Sequence, residues 1–272
     1  TVYGSIAAHI SKATIIASNI TGLGYVFTDT SLKSRFIKFI LSIQLRVALQ
    51  FNTTVFFQNP DDLNLFKTLR LIGASSNSVL LNGSGVDLIK FPPKKLYSNK
   101  ANVFLFVGRL LKDKGFYELL EAAKVVKSKF PQSVIRVIGS LDDNPNSITS
   151  AQLDEYIDGG VIEYLGHLSN ISSDLLNADV FVLPSYREGT PRAVLEAMAT
   201  GLPIITTDAP GCRETVVDGE NGFLVEVRNA DSLANAMIKF LDDPSLLKPM
   251  GLRSLEIARE KYDVHKVNDV IL

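Results

Sequence analysis

The stretch at residues 186–214, YREGTPRAVLEAMATGLPIITTDAPGCRE, decides the fold that the sequence predicts. Thr190 and Pro191 suit the N-cap and first position of a helix, because proline lacks the N–H that would be unpaired there. Gly201 ends this helix, and the Pro-Ile-Ile-Thr-Thr run after it indicates a buried strand. Another apolar strand, at 180–184, precedes the stretch. This order places the loop and the helix N-terminus at the carboxyl end of a parallel strand, where open α/β sheets bind ligands.

Two carboxylates mark this unit, Glu188 in the loop and Glu196 in the helix, with seven residues between them. The helix N-terminus offers unpaired N–H groups and partial positive charge, which suit a phosphate. A carboxylate one to two turns further along can accept two hydroxyl hydrogens, as a ribose diol presents them. The alternative is an ordinary amphipathic helix with two solvated glutamates, because this spacing is common.

The Glu-x7-Glu pair and the Ala-Met-Ala-x-Gly-x-Pro-Ile-Ile sequence after it resemble the donor site of retaining family-4 glycosyltransferases with the GT-B fold. The resemblance implies an α/β protein with two Rossmann-like, doubly wound parallel-sheet domains and a site in the cleft between them. It implies that Glu196 holds the ribose diol of the donor and that Glu188 contacts the donor sugar. The donor-binding residues expected in this segment are Gly189, Thr190, Pro191, Arg192, Ala193 and Glu196.

Two cations are expected to act on the donor diphosphate. The sequence Gly-Arg-Leu-Leu-Lys-Asp-Lys-Gly at 108–115 resembles the Gly-Arg-Leu-x-x-x-Lys-Gly pattern of the same family. Arg109 and Lys114 flank a predicted strand-to-helix turn beside Gly108, where they can hold a diphosphate and offset charge on the departing nucleotide. With Glu188 they form the predicted catalytic group. Leu168, in a Gly-His-Leu segment similar to the family's, is the expected contact of the nucleotide base.

The first part of the chain resembles one branch of the family. The sequence NITGLGYVF at 19–27 and FQNPDD at 57–62 are similar to enzymes that add sugars to lipid-linked precursors of bacterial glycans, of the capsule, O-antigen or N-glycan type. Gly22 and Gly24 follow a predicted strand, so they can form a phosphate or acceptor loop or simply a turn. Many family members have a histidine here, and Thr21-Gly22 occupies its place, so that role does not transfer.

Residues 31–50 are basic and strongly apolar, with no acidic residue. Lys33, Arg35, Lys38 and Arg46 alternate with large apolar side chains. Such a helix can lie in a membrane interface with its cations at anionic headgroups, or it can pack on a sheet with a basic outer face. The lipid-linked acceptor of the resembling branch favours peripheral contact with an anionic membrane.

Composition excludes several other classes. The chain has 272 residues, of which 46% are hydrophobic and 21% charged, and its net charge of −1 argues against a general nucleic-acid binder. Cys212 is the only cysteine, so the chain has no internal disulfide and no cysteine metal cluster. No Asp-x-Asp metal signature lies beside the site, and paired Asp142 and Asp143 indicate a turn. We therefore expect no metal or cofactor, only a UDP-sugar as donor substrate, and a cytoplasmic location.

The domain organisation follows from the same patterns. We expect a partial acceptor-side domain at 1–87, a linker at 88–101, a donor-binding domain at 102–260, and the start of a crossover helix at 261–272. Because the sequence opens on a predicted helix with no strand before it, we expect the N-terminal domain to be incomplete.

The predicted reaction moves a sugar, a hexose or N-acetylhexosamine, from a UDP-sugar to a hydroxyl of a lipid-linked saccharide, with retention of anomeric configuration and without a metal. Three alternatives stay open: a nucleotide-sugar epimerase on the same fold, a non-catalytic nucleotide-sugar-binding fragment, and a membrane-associated assembly protein. An epimerase needs acid/base groups at the sugar, and His9, His167 and His265 are not convincingly placed for that.

Overall fold

A computed structural model of the chain describes residues 1–22, 32–72, 76–98, 101–142, 144 and 147–272. Gly24 and Asp143 lie outside the described residues. In chain order the helices and strands are α1 Val2–Ile10, β1 Ala17–Ile20, α2 Leu32–Leu49, β2 Thr54–Phe57, α3 Pro60–Thr68, β3 Asn77–Leu80, β4 Val103–Val107, α4 Phe116–Lys129, β5 Val134–Ile138, α5 Ser150–Asp158, β6 Glu163–Tyr164, α6 Ser172–Asn177, β7 Val180–Leu183, α7 Arg192–Ala199, β8 Ile204–Thr207, β9 Gly222–Val225, α8 Ala230–Asp242, α9 Leu247–Lys261 and α10 Val264–Ile271.

The N-terminal lobe, residues 1–80, contains a parallel sheet in the order β1-β2-β3. Ala17 pairs with Thr54, and Thr54 pairs with Asn77, so the three strands start and end together. Leu49 of α2 and Phe66 of α3 pack on this sheet in its hydrophobic core. The carboxyl ends of the strands therefore lie along one edge, which faces the second lobe through the contacts described below.

The C-terminal lobe, residues 103–261, contains a six-stranded parallel sheet in the order β6-β5-β4-β7-β8-β9. Its central strands are apolar and buried on both faces, as expected when helices cover a parallel sheet on both sides. From β4 the chain adds β5 and β6 on one side, then returns to add β7, β8 and β9 on the other. The two halves of a doubly wound sheet thus diverge between β4 and β7, which is where such sheets bind ligands. The predicted doubly wound architecture is confirmed.

Most predicted elements are present, and two strands are shorter than expected. The apolar run at 161–165 predicts a strand, and β6 forms only at Glu163 and Tyr164, at the sheet edge where it pairs with β5 alone. The apolar run at 13–19 likewise predicts a strand, and β1 begins only at Ala17.

The two sheets lie on either side of the predicted linker, and the C-terminal segment returns to this junction. The backbone N–H of Val86 donates to the carbonyl of Tyr262 at 2.7 Å, and that of Val264 donates to Val86 at 3.1 Å. Gly85 has φ +71°, and a Cβ on it would lie 2.6 Å from the Cα of Val264. Gly85 is therefore required by a close approach of two backbones.

Candidate active site

The loops after β4 and β7 form a cleft with a volume of about 370 Å³ at the point where the second sheet diverges. Thr21 adds one residue from the end of β1, so both lobes line it. The lining residues are Thr21, Val107, Gly108, Arg109, Lys114, Leu183, Glu188, Gly189, Thr190, Pro191, Arg192, Ala193 and Glu196. Every donor-site residue predicted from Gly108 to Glu196 lies here, except Leu168.

Two predicted residues lie beside the cleft rather than on its wall. Leu168 is partly buried against the core of the C-terminal lobe. Gly22 faces Gly189 across the lobes, and a Cβ on Gly22 would lie 3.2 Å from the Gly189 nitrogen.

Lys114 and Glu188 form an ion pair within the cleft. Lys114 Nζ lies 2.5 Å from Glu188 Oε1, and the two side chains are only 24% and 12% exposed. Lys114 ends a short 3-10 turn, and Gly115 after it has φ +69° with the Pro184 carbonyl 2.0 Å from the position of a Cβ. Packing of this turn against the loop after β7 brings together two residues that are 74 positions apart. A cation and a carboxylate are thereby fixed at one end of the cleft.

Arg109 is held less firmly. Its Nη1 lies 3.0 Å from Asp142 Oδ2, and its side chain is 60% exposed. An exposed ion pair of this kind contributes about 0–1 kcal/mol, so the guanidinium can turn to an anion in the cleft at small cost. The sequence prediction gave Asp142 only a turn and missed this pairing.

Glu196 is buried in α7 with 9% of its surface exposed. Burial raises the pKa of its carboxyl group, while Arg192, whose Nε lies 3.0 Å from Glu196 Oε1, acts in the opposite direction. Keeping an ionisable group at a buried position costs stability unless a partner offsets it. The Arg192 guanidinium offsets part of this cost.

The N-terminus of α7 differs from the prediction. Thr190 is not the N-cap and Pro191 is not the first helical residue; the helix begins at Arg192, with Pro191 in the cap position at φ −72° and ψ 112°. The Thr190 hydroxyl instead donates to the Gln58 carbonyl of the N-terminal lobe at 3.0 Å. No side chain caps α7. Arg192 and Ala193, the first two residues of the helix, line the cleft, so their N–H groups are available to an anion there.

Cys212, His9 and His167 do not line the cleft. Cys212 is buried, and burial raises the pKa of its thiol to about 12, so it stays protonated. His9 stacks on Phe51 at 4.0 Å in the N-terminal lobe, and His167 is exposed. Within the described ranges, no three His, Cys, Asp or Glu side chains group as metal ligands would.

Replacing Glu196 by glutamine is expected to stabilise the ligand-free protein at neutral pH. Because burial raises the carboxyl pKa above its ordinary value of 4.5, the folded state binds the proton more tightly than the unfolded state. Wild-type stability should therefore rise as pH falls from that raised pKa towards 4.5. The glutamine variant lacks this dependence, so its advantage should shrink in acid. Thermal unfolding of both proteins across this range measures the difference; a variant that is less stable at neutral pH would contradict the expectation.

Comparison with known proteins identifies the family. Residues 89–254, more than half of the chain, match the family of glycosyl transferases group 1. The N,N'-diacetylbacillosaminyl-diphospho-undecaprenol alpha-1,3-N-acetylgalactosaminyltransferase of Campylobacter jejuni is 29% identical over 257 residues, covering 90% of this chain and 66% of that protein. The UDP-Gal:alpha-D-GlcNAc-diphosphoundecaprenol alpha-1,3-galactosyltransferase of Escherichia coli is 31% identical over 257 residues, covering 90% of this chain and 65% of that protein.

The chain thus spans about two thirds of the length of these curated relatives. Among solved structures, Anabaena Alr3699/HepE in complex with UDP superimposes with a TM-score of 0.80 at 20% identity, over 99% of this chain and 74% of that one. This similarity confirms the predicted GT-B fold. The family match, the fold and the cleft between the lobes agree: the chain belongs to the glycosyl transferases group 1.

Proposed function

We propose that the protein transfers a hexose or N-acetylhexosamine from a UDP-sugar to a hydroxyl of a lipid-linked saccharide, with retention and without a metal, at the cytoplasmic face of a membrane. The observation that carries the proposal is that two carboxylates (Glu188, Glu196), three cations (Arg109, Lys114, Arg192) and the N-terminus of α7 line one cleft. The similar proteins of Campylobacter jejuni and Escherichia coli have names that specify diphospho-undecaprenol acceptors, and the latter name specifies UDP-galactose.

In the proposed orientation, the nucleoside of the donor lies at Glu196 and its sugar lies at Glu188. Glu196, one turn into α7 and lining the cleft, accepts hydrogen bonds from the ribose diol. Arg109, Lys114 and the first N–H groups of α7 bind the diphosphate. Glu188 and Gly189 then face the donor sugar, next to Thr21 of the N-terminal lobe. This order places the anomeric carbon where the two lobes meet.

The proposed transfer occurs on one face of the sugar. The acceptor oxygen bonds to the anomeric carbon as the bond from that carbon to the phosphate oxygen breaks, and the acceptor proton passes to the departing phosphate. Lys114 and Arg109 offset the charge that develops on UDP. Glu188 is paired to Lys114. It therefore positions the sugar and does not act as a covalent nucleophile, a role that needs two close carboxylates flanking the bond.

A transfer assay tests this proposal. The protein is incubated with a panel of UDP-sugars and a saccharide linked through diphosphate to a short polyprenyl chain. We expect a product whose new glycosidic bond keeps the anomeric configuration of the donor, as read from the anomeric proton coupling, and whose yield is unchanged by a chelator. An inverted product, or loss of activity with the chelator, would contradict the proposal.

We further propose that α2 is the membrane-facing element. Residues 1–80 contain seven Lys and Arg against three Asp and no Glu. Leu45, Ala48 and Leu49 of α2 face the core, while its opposite side exposes a continuous apolar face. That apolar face consists of Phe36, Phe39, Ile40, Ile43 and Val47, and Phe36 and Phe39 are 65% and 63% exposed. No helix in the described part of the chain is long and apolar enough to span a bilayer.

Replacing Ile40 and Ile43 together by asparagine is expected to lower binding to vesicles containing phosphatidylglycerol by about tenfold or more, because both side chains would leave the interface. Vesicle sedimentation measures the change. Ile89→Asn, at an exposed site in the predicted linker, is the matched control and should bind like wild type. Wild-type binding should weaken in high salt and on phosphatidylcholine alone. Equal binding of the double variant and wild type would exclude α2 as the contact.

A further inference from the structure

The segment Gln58–Asp62, which follows β2, hydrogen-bonds to the loop that carries Glu188. Asn59 is fully buried, and its Nδ2 donates to the carbonyls of Glu188 and Gly189, each at 3.2 Å. Its Oδ1 accepts the Asp62 N–H at 2.8 Å and so caps α3. The Asn59 side chain thus caps the N-terminus of α3 in the N-terminal lobe and also hydrogen-bonds to the backbone of the donor-sugar loop in the C-terminal lobe.

Gln58 extends this contact by one residue in each lobe. Its Oε1 accepts the backbone N–H of Thr190 at 3.2 Å, and its carbonyl accepts the Thr190 hydroxyl. The loop residues from Glu188 to Thr190 are therefore all bonded to the N-terminal lobe. None of these bonds involves a group that the proposed function assigns to UDP.

Asp62 and Arg187 add a buried ion pair. The Arg187 guanidinium donates to Asp62, whose side chain is completely buried, and Asn59 Nδ2 donates to Asp62 Oδ2 at 3.0 Å. A buried pair of this kind is weak support for overall stability, but loss of one partner leaves an uncompensated charge. The pair therefore favours a single relative placement of the loop and α3.

The backbones approach too closely for any side chain at Gly189. A Cβ there would lie 2.0 Å from the Thr21 carbonyl oxygen and 2.7 Å from Gln58 Oε1. The loop is thus in direct contact with the end of β1 as well as with the segment after β2. Its residues 187–190 therefore contact the N-terminal lobe, while the Tyr186 and Glu188 N–H groups donate within the C-terminal lobe to Asp113 and Pro210.

We propose that Asn59 and Asp62 are positioning residues that fix the Glu188–Gly189 loop for the donor sugar, so that the sugar part of the site is complete only when the two lobes are in contact. This inference rests on the proposed role of Glu188 at the sugar. The nucleotide part of the site, built by Glu196, Arg109, Lys114 and the start of α7, lies on the C-terminal lobe and makes none of the bonds between the lobes described above. UDP should therefore bind about equally well with or without the contact between the lobes.

The test replaces Asn59 by serine, whose hydroxyl can still cap α3 but cannot reach the loop. Asn64→Ser, at an exposed position of the same helix, is the matched control. Hydrogen exchange of the segment 187–191 should become about tenfold faster in Asn59→Ser and stay unchanged in Asn64→Ser, because two hydrogen bonds to the loop are lost. UDP affinity from calorimetry should stay within about twofold of wild type, and kcat for sugar transfer should fall about tenfold or more.

A second variant pair separates positioning from simple loss of structure. Asp62→Asn should accelerate exchange of the loop, because Arg187 loses its countercharge. Adding Arg187→Gln restores a neutral hydrogen-bonding pair and should recover part of the protection, which a merely unfolded lobe would not show.

The outcomes distinguish the two proposals. Unchanged exchange and unchanged kcat in Asn59→Ser would overturn the positioning role while leaving the donor site intact. Loss of UDP binding in step with loss of loop protection would also overturn it, since the nucleotide part would then depend on the same contacts. Absence of UDP binding in the wild type would instead refute the proposed function, and the exchange experiment would still report whether Asn59 holds the loop.

Discussion

Replacing Lys114 by methionine is expected to lower kcat for sugar transfer by about 100- to 1,000-fold. The lysine Nζ lies 2.5 Å from Glu188 in a mostly buried cleft, where it can offset charge on the departing diphosphate. Methionine keeps most of the length of the lysine side chain and removes the charge. The variant also leaves the Glu188 carboxylate without its partner, which should weaken binding of the donor anion further. Steady-state kinetics with a UDP-sugar measure both effects.

Lys112→Met is the matched control, because Lys112 lies in the same short turn with its side chain exposed. It should keep kcat within about twofold of wild type, since exposed charges away from a site have small effects. A Lys114→Met protein that is folded and fully active would show that the pair with Glu188 is structural only. Equal losses of kcat in both variants would show that the net charge of the turn matters, and not the position of Lys114.

Replacing Gly189 by alanine is expected to lower kcat about 100-fold while changing UDP affinity little. The new Cβ would overlap the Thr21 carbonyl at 2.0 Å, so the loop or the N-terminal lobe would have to move by about 1 Å. The nucleotide contacts lie on the C-terminal lobe alone, so they should survive the shift. Crowding at this contact should also lower the free energy of unfolding by about 1–3 kcal/mol.

Gly4→Ala controls for the substitution itself, because no atom lies within 4 Å of a Cβ at that position. Gly4→Ala should be neutral or slightly stabilising, because alanine has a higher helix propensity than glycine. Calorimetry with UDP and transfer kinetics separate the two parts of the site. Loss of UDP binding in Gly189→Ala would show that the Glu188–Gly189 loop takes part in the nucleotide site.

The sequence predicted the architecture because its apolar strands alternate with punctuated helices along the chain. It also predicted which residues share the cleft, since Arg109, Lys114 and Glu188 lie in the loops after β4 and β7, and Glu196 lies in the helix that follows β7. Parallel sheets bring such positions together whatever their distance in sequence.

What the sequence did not predict depends on contacts between the lobes. Thr190 has the residue type of an N-cap, yet its hydroxyl bonds to Gln58, a partner 132 positions away. In the sequence, FQNPDD carries only a family resemblance, because the acceptors of Asn59 are backbone carbonyls that have no sequence signal. Local patterns set local structure, and tertiary partners can override them.

The most direct test of the nucleotide site is calorimetric titration of the wild type and Glu196→Ala with UDP and with GDP. Glu155→Ala, at an exposed position of α5 in the same lobe, serves as the control. We expect the wild type and the control to bind UDP alike and Glu196→Ala to bind it tens of fold more weakly, because a carboxylate bonded to two hydroxyls is worth about 2–3 kcal/mol. If the wild type binds GDP in preference to UDP, the donor nucleotide is GDP and not UDP. Equal affinity of Glu196→Ala and wild type for UDP would contradict the placement of the donor in this cleft.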